Sequence, residues 1–376
     1  MKRRDFLAAG GAVAAAPFVN RHRYRLARHQ STTYSKRAID LVASTTVIDM
    51  LSPFKIGRST WLQRPADFAR AELQRFLDSG VSVFHIATGV GGTDAYTNVL
   101  TFLGLWNGFL AHHHDSLMRI DSPESLDAVK SSKKIGVLLG IQNSQHFRTA
   151  NDVEFFHSLG QRVSQLTYNS RNMIGNGSTE RRDDGISDFG VSVVARMNKV
   201  GMAVDVSHCG DRTTLDAFEV STSPVFITHS NCRALVPDHP RCKTDEAIRR
   251  MAARGGVMGI TGVRMFVKTS EPTTIEHMLD HYDHVRKLVG GQHLGLGSDI
   301  DLDGYDDLSP EEQKSLRSNY KDSYGFRDKI DIEGVDHPKR VFDLTEGLIR
   351  RGYSDNEIRG VLGDNFRRVL KQTWTT

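Results

Sequence analysis

Cysteine is scarce. Three residues, Cys209, Cys232 and Cys242, are odd in number and confined to one third of the chain, so they build no disulfide framework. No Cys-x-x-Cys pair exists, which excludes a thiolate zinc knuckle. The apolar stretch that begins at Phe6 is too short to span a bilayer comfortably. No Gly-x-Gly-x-x-Gly turn follows the first strand pattern, which weighs against an open dinucleotide-binding sheet. Positive charge is also missing where it would matter. The formal net charge is +4, but residues 1–30 hold seven Lys and Arg against Asp5 alone, leaving −2 for the rest. A slightly acidic body offers nucleic acid no binding face.

What is present fits an exported globular protein. Hydrophobic residues make up 39% of the 376 residues and charged residues 25%, enough for a large closed core. The start, "MKRRDFLAAGGAVAAAPFV", has paired Arg3 and Arg4, an apolar stretch and the small residues Ala14 to Ala16. That composition predicts a twin-arginine signal peptide and export to the periplasm, with membrane association if the leader is retained. Residues 1–30 are expected to be signal peptide and basic linker, and residues 31–376 one domain.

Eight apolar, β-branched runs predict strands near 45–50, 81–87, 134–142, 162–169, 202–208, 224–229, 255–261 and 293–299. Helical patterns alternate with them, among them 65–80, a helix from Ser187 to Gly201, and one over 243–256. Strands that are apolar throughout suit a parallel sheet covered on both faces. Eight strand–helix repeats predict an α/β fold, a (β/α)8 TIM barrel. Two amphipathic helices, split at Gly352-Tyr353-Ser354, are expected to follow, and residues 302–336, rich in Asp, Gly and Ser, to form a surface excursion.

In such barrels chemistry sits at the C-terminal strand ends. Those ends carry Asp49, His85, Gln142, Tyr168-Asn169, His208, His229 and Asp299. Two histidines on neighbouring strands and a carboxylate across the mouth are a common donor set for catalytic zinc, with a position left for water. His208, His229 and Asp299 are therefore the expected metal ligands, and Asp299 the expected proton acceptor. Gln142, His85 and His146 are further candidate ligands.

The segments "GMAVDVSHCG", "VFITHSNCRAL", "LTYNSRNMIGNG", "GLGSDID" and "RGYSDNEIRGVLGDNFRRVL" resemble the membrane (renal) dipeptidase family of zinc metallopeptidases, in order, from about Val47 to Leu370. The resemblance implies a metal-dependent hydrolase barrel, a homodimer, and a two-zinc centre that cleaves dipeptides. It assigns one zinc to His208 and His229, and the other zinc and proton transfer to Asp299. Arg241 falls where the family pairs an arginine with the substrate carboxylate. Tyr168, beside Asn169, stands at the substrate-contacting histidine of the fourth strand, so both are expected to contact substrate. Three departures touch the metal: Leu51 and Pro53 replace two ligands after the first strand, and neutral Gln142 replaces the bridging glutamate. The expectation is a hydrolase of dipeptides or small peptide-derived substrates with one Zn2+. The alternative is a non-catalytic exported binding or natural-product maturation protein that reuses the cleft.

Overall fold

The computed structural model describes residues 34–374 except 58 and 90, so the expected leader and basic linker at 1–30 lie outside the described residues. Nine parallel strands are present: β1 (Ile48–Asp49), β2 (Val83–Thr88), β3 (Leu117–Arg119), β4 (Ile135–Ile141), β5 (Val163–Gln165), β6 (Ala203–Asp205), β7 (Ile227–Ser230), β8 (Met258–Ile260) and β9 (Leu294–Leu296). Eight of them follow the order β6-β5-β4-β2-β1-β9-β8-β7, and β3 pairs with β4 off this path. The ring closes between β6 and β7, where the Val206 N–H donates to Phe226 O (3.0 Å) and the Phe226 N–H to Val204 O (2.8 Å). The fold is the expected (β/α)8 barrel with extra C-terminal helices. Every predicted strand overlaps an observed one, but the observed strands are shorter, because their ends peel into the loops that carry the polar residues.

Helix ends follow local chemistry. The helix Asp188–Val200 starts on Ser187, whose side chain accepts from the Gly190 N–H, and stops at Gly201, which takes a left-handed φ of 73°. The helix predicted over 65–80 breaks into a 3-10 turn, Pro65–Asp67, and a helix, Arg70–Asp78. Phe68 between them leaves the helical path and packs against Trp61, Phe76 and Phe109.

The C-terminal helices plug the floor of the barrel. Phe366, Val369 and Leu370 of the helix Asn365–Trp374 share a cluster with Ile48, Val83, Val163, Ala203, Phe226 and Val257 at the starts of the strands and with Leu138 in the middle of β4. Each such side chain contributes about 1.5–3 kcal/mol by leaving water. Gly295 permits this approach: a Cβ there would lie 2.1 Å from the Phe366 ring.

Residues 302–336 form the expected excursion, but one face of it is buried. Tyr324 and Ile330 are buried with Val236, Cys242, Val263, Met265 and Phe266 in a core of their own. The Asp331 carboxylate accepts the N–H groups of Tyr305 (2.9 Å) and Asp306 (2.7 Å), which closes the base of the segment. Its aromatic residues give it an apolar face, and that face turns toward the strand ends. Among the described residues no helix is long and apolar enough to cross a membrane.

Candidate active site

His208 follows β6 and His229 lies within β7, and both are buried. Their Nε2 atoms stand 3.0 Å apart. Which nitrogen carries each proton follows from the partners. His208 Nδ1 faces Asn169 Oδ1 at 2.8 Å, and an amide oxygen only accepts, so Nδ1 holds the proton. His229 Nδ1 faces Thr228 Oγ1 at 2.8 Å. The Thr228 hydroxyl donates its only proton to Asp205 Oδ2 (2.8 Å), so it accepts from His229 Nδ1–H. Both Nε2 atoms are then bare lone pairs facing one another, and a cation between them would satisfy both.

A proton is a poor candidate. Burial lowers both imidazole pKa values well below 6.5, and the charge of Arg241 lowers them further, as does Lys243. A zinc ion suits two neutral imidazole nitrogens. Tetrahedral Zn–N bonds of 2.0–2.1 Å set the nitrogens about 3.3 Å apart, so the rings need part by only about 0.3 Å. The pair supplies two nitrogen donors of the three or four ligands that a zinc ion takes.

The other predicted residues divide. Asn169, at a left-handed φ of 58°, orients His208 and accepts from Ser178 Oγ as well. Tyr168 stacks on the His208 ring at 4.1 Å and shares a 2.7 Å hydroxyl contact with Tyr320. Asp299, also at positive φ (62°), is half-buried, and its N–H donates to Leu51 O (2.8 Å). Burial pushes its carboxyl up to about 7, against the pull of Arg241 and with a small push from Asp49. Among the described residues no three His, Cys, Asp or Glu side chains are grouped closely enough to hold a metal ion, so Asp299 does not join the histidine pair as a three-donor cluster.

Arg241 is buried beneath the pair. Nη1 donates to Ser207 O and Nη2 to His229 O (2.8 Å), while Nε has no partner. Lys243 beside it donates to Val206 O, Cys209 O and Thr214 Oγ1. His85 donates Nδ1–H to Met50 O (2.6 Å), and its Nε2 is buried without a partner in space that a Cβ at Gly140 would fill. His146 is a packed residue: its nitrogens face Asn143 O and Gln161 Oε1, and its ring lies against Phe156. Gln142 follows β4 and is half-buried. The cysteine thiols are poor ligands, since burial pushes Cys209 up to about 11 and Cys242 to about 12.

Sequence reasoning missed four contributors. Asp205 and Thr228 carry the hydrogen-bond string behind His229. Their signal was a polar residue inside each apolar run. Tyr320 and Tyr324 come from the segment over the mouth, their rings 4.4 Å apart.

Residues 40–316 and 325–376 match the family described as Membrane dipeptidase (Peptidase family M19). This chain belongs to that family. It is 30% identical to the dipeptidase verJ of Clonostachys rogersoniana over 242 residues, 64% of this chain and 55% of that protein. It is 27% identical to dipeptidase 3 of Rattus norvegicus over 255 residues, 66% of this chain and 46% of that one. The chain spans between 55% and 64% of the length of three curated relatives. Among solved structures, an amidohydrolase from Pseudomonas aeruginosa superposes with a TM-score of 0.76 at 28% identity, covering 90% of this chain and 99% of that one. A metallo peptidase from Rhodobacter sphaeroides liganded with a phosphinate mimic of the dipeptide L-Ala-D-Ala reaches 0.73 at 18%, covering 88% and 99%, which speaks to the dipeptidase fold alone.

Proposed function

We propose that this chain is a metal-dependent hydrolase of dipeptides or small peptide-derived substrates, working with one zinc ion held by His208 and His229. The observation that carries the reading is the pair of Nε2 lone pairs converging at 3.0 Å, with both Nδ1 protons committed elsewhere. Family membership supports peptide-bond hydrolysis as the reaction. When bound, the ion supplies Lewis acidity, polarising a scissile carbonyl and acidifying water.

The protein's own groups do the rest. Asp299, with a carboxyl raised to about 7, is poised to take a proton at neutral pH and return it to a leaving amine. Arg241 places a fixed positive charge under the site, suited to the negative charge of a peptide carboxylate or of an addition intermediate. Tyr168 covers one face of the His208 ring and is held there by its hydroxyl contact with Tyr320, which limits the entry of water. Leu51 and Pro53, which cannot ligate, argue for one ion and not two.

The test is a metal count on the purified protein beside a His208→Ala/His229→Ala variant, followed by a screen of L,L- and L,D-dipeptides. About one zinc per chain, lost in the variant, together with dipeptide turnover supports the proposal. Two ions overturn the single-ion centre. No zinc in a folded protein overturns the hydrolase reading and moves the weight to a binding or maturation role.

A further inference from the structure

The string behind His229 has a property that packing does not explain. Asp205 is almost wholly buried and accepts from four neutral donors: Ser207 N (3.1 Å), Ser207 Oγ (2.6 Å), Thr228 N (3.0 Å) and Thr228 Oγ1 (2.8 Å). Four donors satisfy the lone pairs of a carboxylate, which would be costly to bury without them. The string runs in one direction only. Asp205 takes the Thr228 proton, Thr228 takes the proton on His229 Nδ1, and His229 Nε2 is left bare toward His208. Ser207 cross-braces it, accepting from the His229 N–H (3.1 Å) while donating to Asp205. The His208 arm is different, because Asn169 Oδ1, a neutral acceptor, holds its Nδ1–H.

We infer that Asp205 and Thr228 are positioning residues for the metal centre, forming a carboxylate–hydroxyl–imidazole relay that fixes the His229 ring with Nε2 bare. This rests on the proposed zinc site. A carboxylate that hydrogen-bonds a ligating histidine orients the ring and raises its affinity for metal. Here a threonine hydroxyl is interposed, so the negative charge acts through one polarised O–H. The two arms of the centre are thereby unequal, His229 backed by an anion and His208 by an amide.

Thr228→Val keeps the shape and removes the hydroxyl, while Thr228→Ser keeps the hydroxyl. Zinc affinity of the full chain, measured by competition with a chromophoric chelator at one pH, is expected to fall about 10- to 100-fold in Thr228→Val and in Asp205→Asn. Thr228→Ser is expected to retain wild-type affinity. Melting of the zinc-free proteins gives a second readout, and the affinity losses are expected not to track it. Wild-type affinity in Thr228→Val overturns the relay while leaving the zinc site standing. A wild-type protein that holds no zinc overturns the site and the relay with it. If Thr228→Val does not fold, 15N NMR of histidine-labelled, zinc-loaded wild type decides. A proton on His229 Nδ1 is expected, and its absence overturns the relay.

Discussion

The loop after β1 and the loop after β9 meet at a buried ion pair, and its removal has a calculable cost. Asp49 has no exposed surface and accepts from Ser298 N (2.8 Å) and Ser298 Oγ (2.6 Å). Arg340, from the helix Arg340–Arg350, reaches Asp49 Oδ2 at 3.4 Å, Ser52 Oγ at 2.8 Å and Asp301 O at 2.8 Å. Burial raises the Asp49 pKa, and the charge of Arg340, then the bonds from Ser298, pull it back. Arg340→Met keeps the apolar stem and removes the cation, leaving a buried carboxylate with hydrogen bonds and no countercharge. Breaking such a pair from one side costs about 3–5 kcal/mol. Domain stability is typically about 5–15 kcal/mol, so the loss is a large share of the whole. In Asp49→Asn/Arg340→Met neither charge remains, and the double variant is expected to be more stable than the sum of the single losses by about 0.5–3 kcal/mol. Urea unfolding of the zinc-free proteins at pH 7 measures all four corners of this cycle. A cost below about 1 kcal/mol for Arg340→Met, the worth of an ordinary surface pair, refutes the argument. Strict additivity in the double variant refutes it too.

Acid is expected to destabilise the fold through His281, which accepts the Cys232 N–H at Nδ1 and donates Nε2–H to Val267 O (2.9 Å). Burial lowers its pKa to about 4, so between about 6.5 and 4 the unfolded chain binds a proton that the folded chain does not; stability is full above that window and falls by about 3 kcal/mol as pH drops through it. His281→Gln removes that share of the slope between pH 7 and 4.5 in urea titrations, and an unchanged slope counts against it. Asp299→Asn is expected to cut kcat about 10²–10⁴-fold on any dipeptide that the chain hydrolyses, with the fold intact. Circular dichroism and single-substrate kinetics check it, and full activity in the variant removes Asp299 from proton transfer. Tyr320→Phe and Tyr168→Phe each break the 2.7 Å hydroxyl contact, so each is expected to cost about 1 kcal/mol and the pair no more than either alone.

The barrel was legible because its signal is redundant. Eight apolar runs, each followed by a turn and a helix pattern, leave few closures, and all eight runs hold a strand. His208 and His229 were legible for a local reason, since each ends an apolar run with a polar ring. Asp205 and Thr228 were not, because a single polar residue inside an apolar run is indistinguishable from a turn of the strand toward solvent until the partner strand is in place. They face one another only because β6 and β7 close the ring. Composition showed the segment 302–336 as a surface excursion but hid its buried face. Its Asp and Gly residues pin its base, while Tyr305, Tyr320, Tyr324 and Phe326 form an aromatic face that sequence order spreads over 22 residues.

Leu51 and Pro53 stand where the family resemblance places two metal ligands. Here the same corner is held by protein groups. Leu51 O accepts the Asp299 N–H, Ser52 Oγ donates to Ile300 O (2.9 Å), and Arg340 ties Ser52, Ile300 and Asp301 together above Asp49. Leu51 is itself buried, so its side chain contributes apolar packing where a ligand would demand desolvated charge. The Asp299 loop is therefore held by protein groups, while the His208–His229 pair, with its Nε2 atoms 3.0 Å apart, is the part of the mouth where the proposed cation would sit.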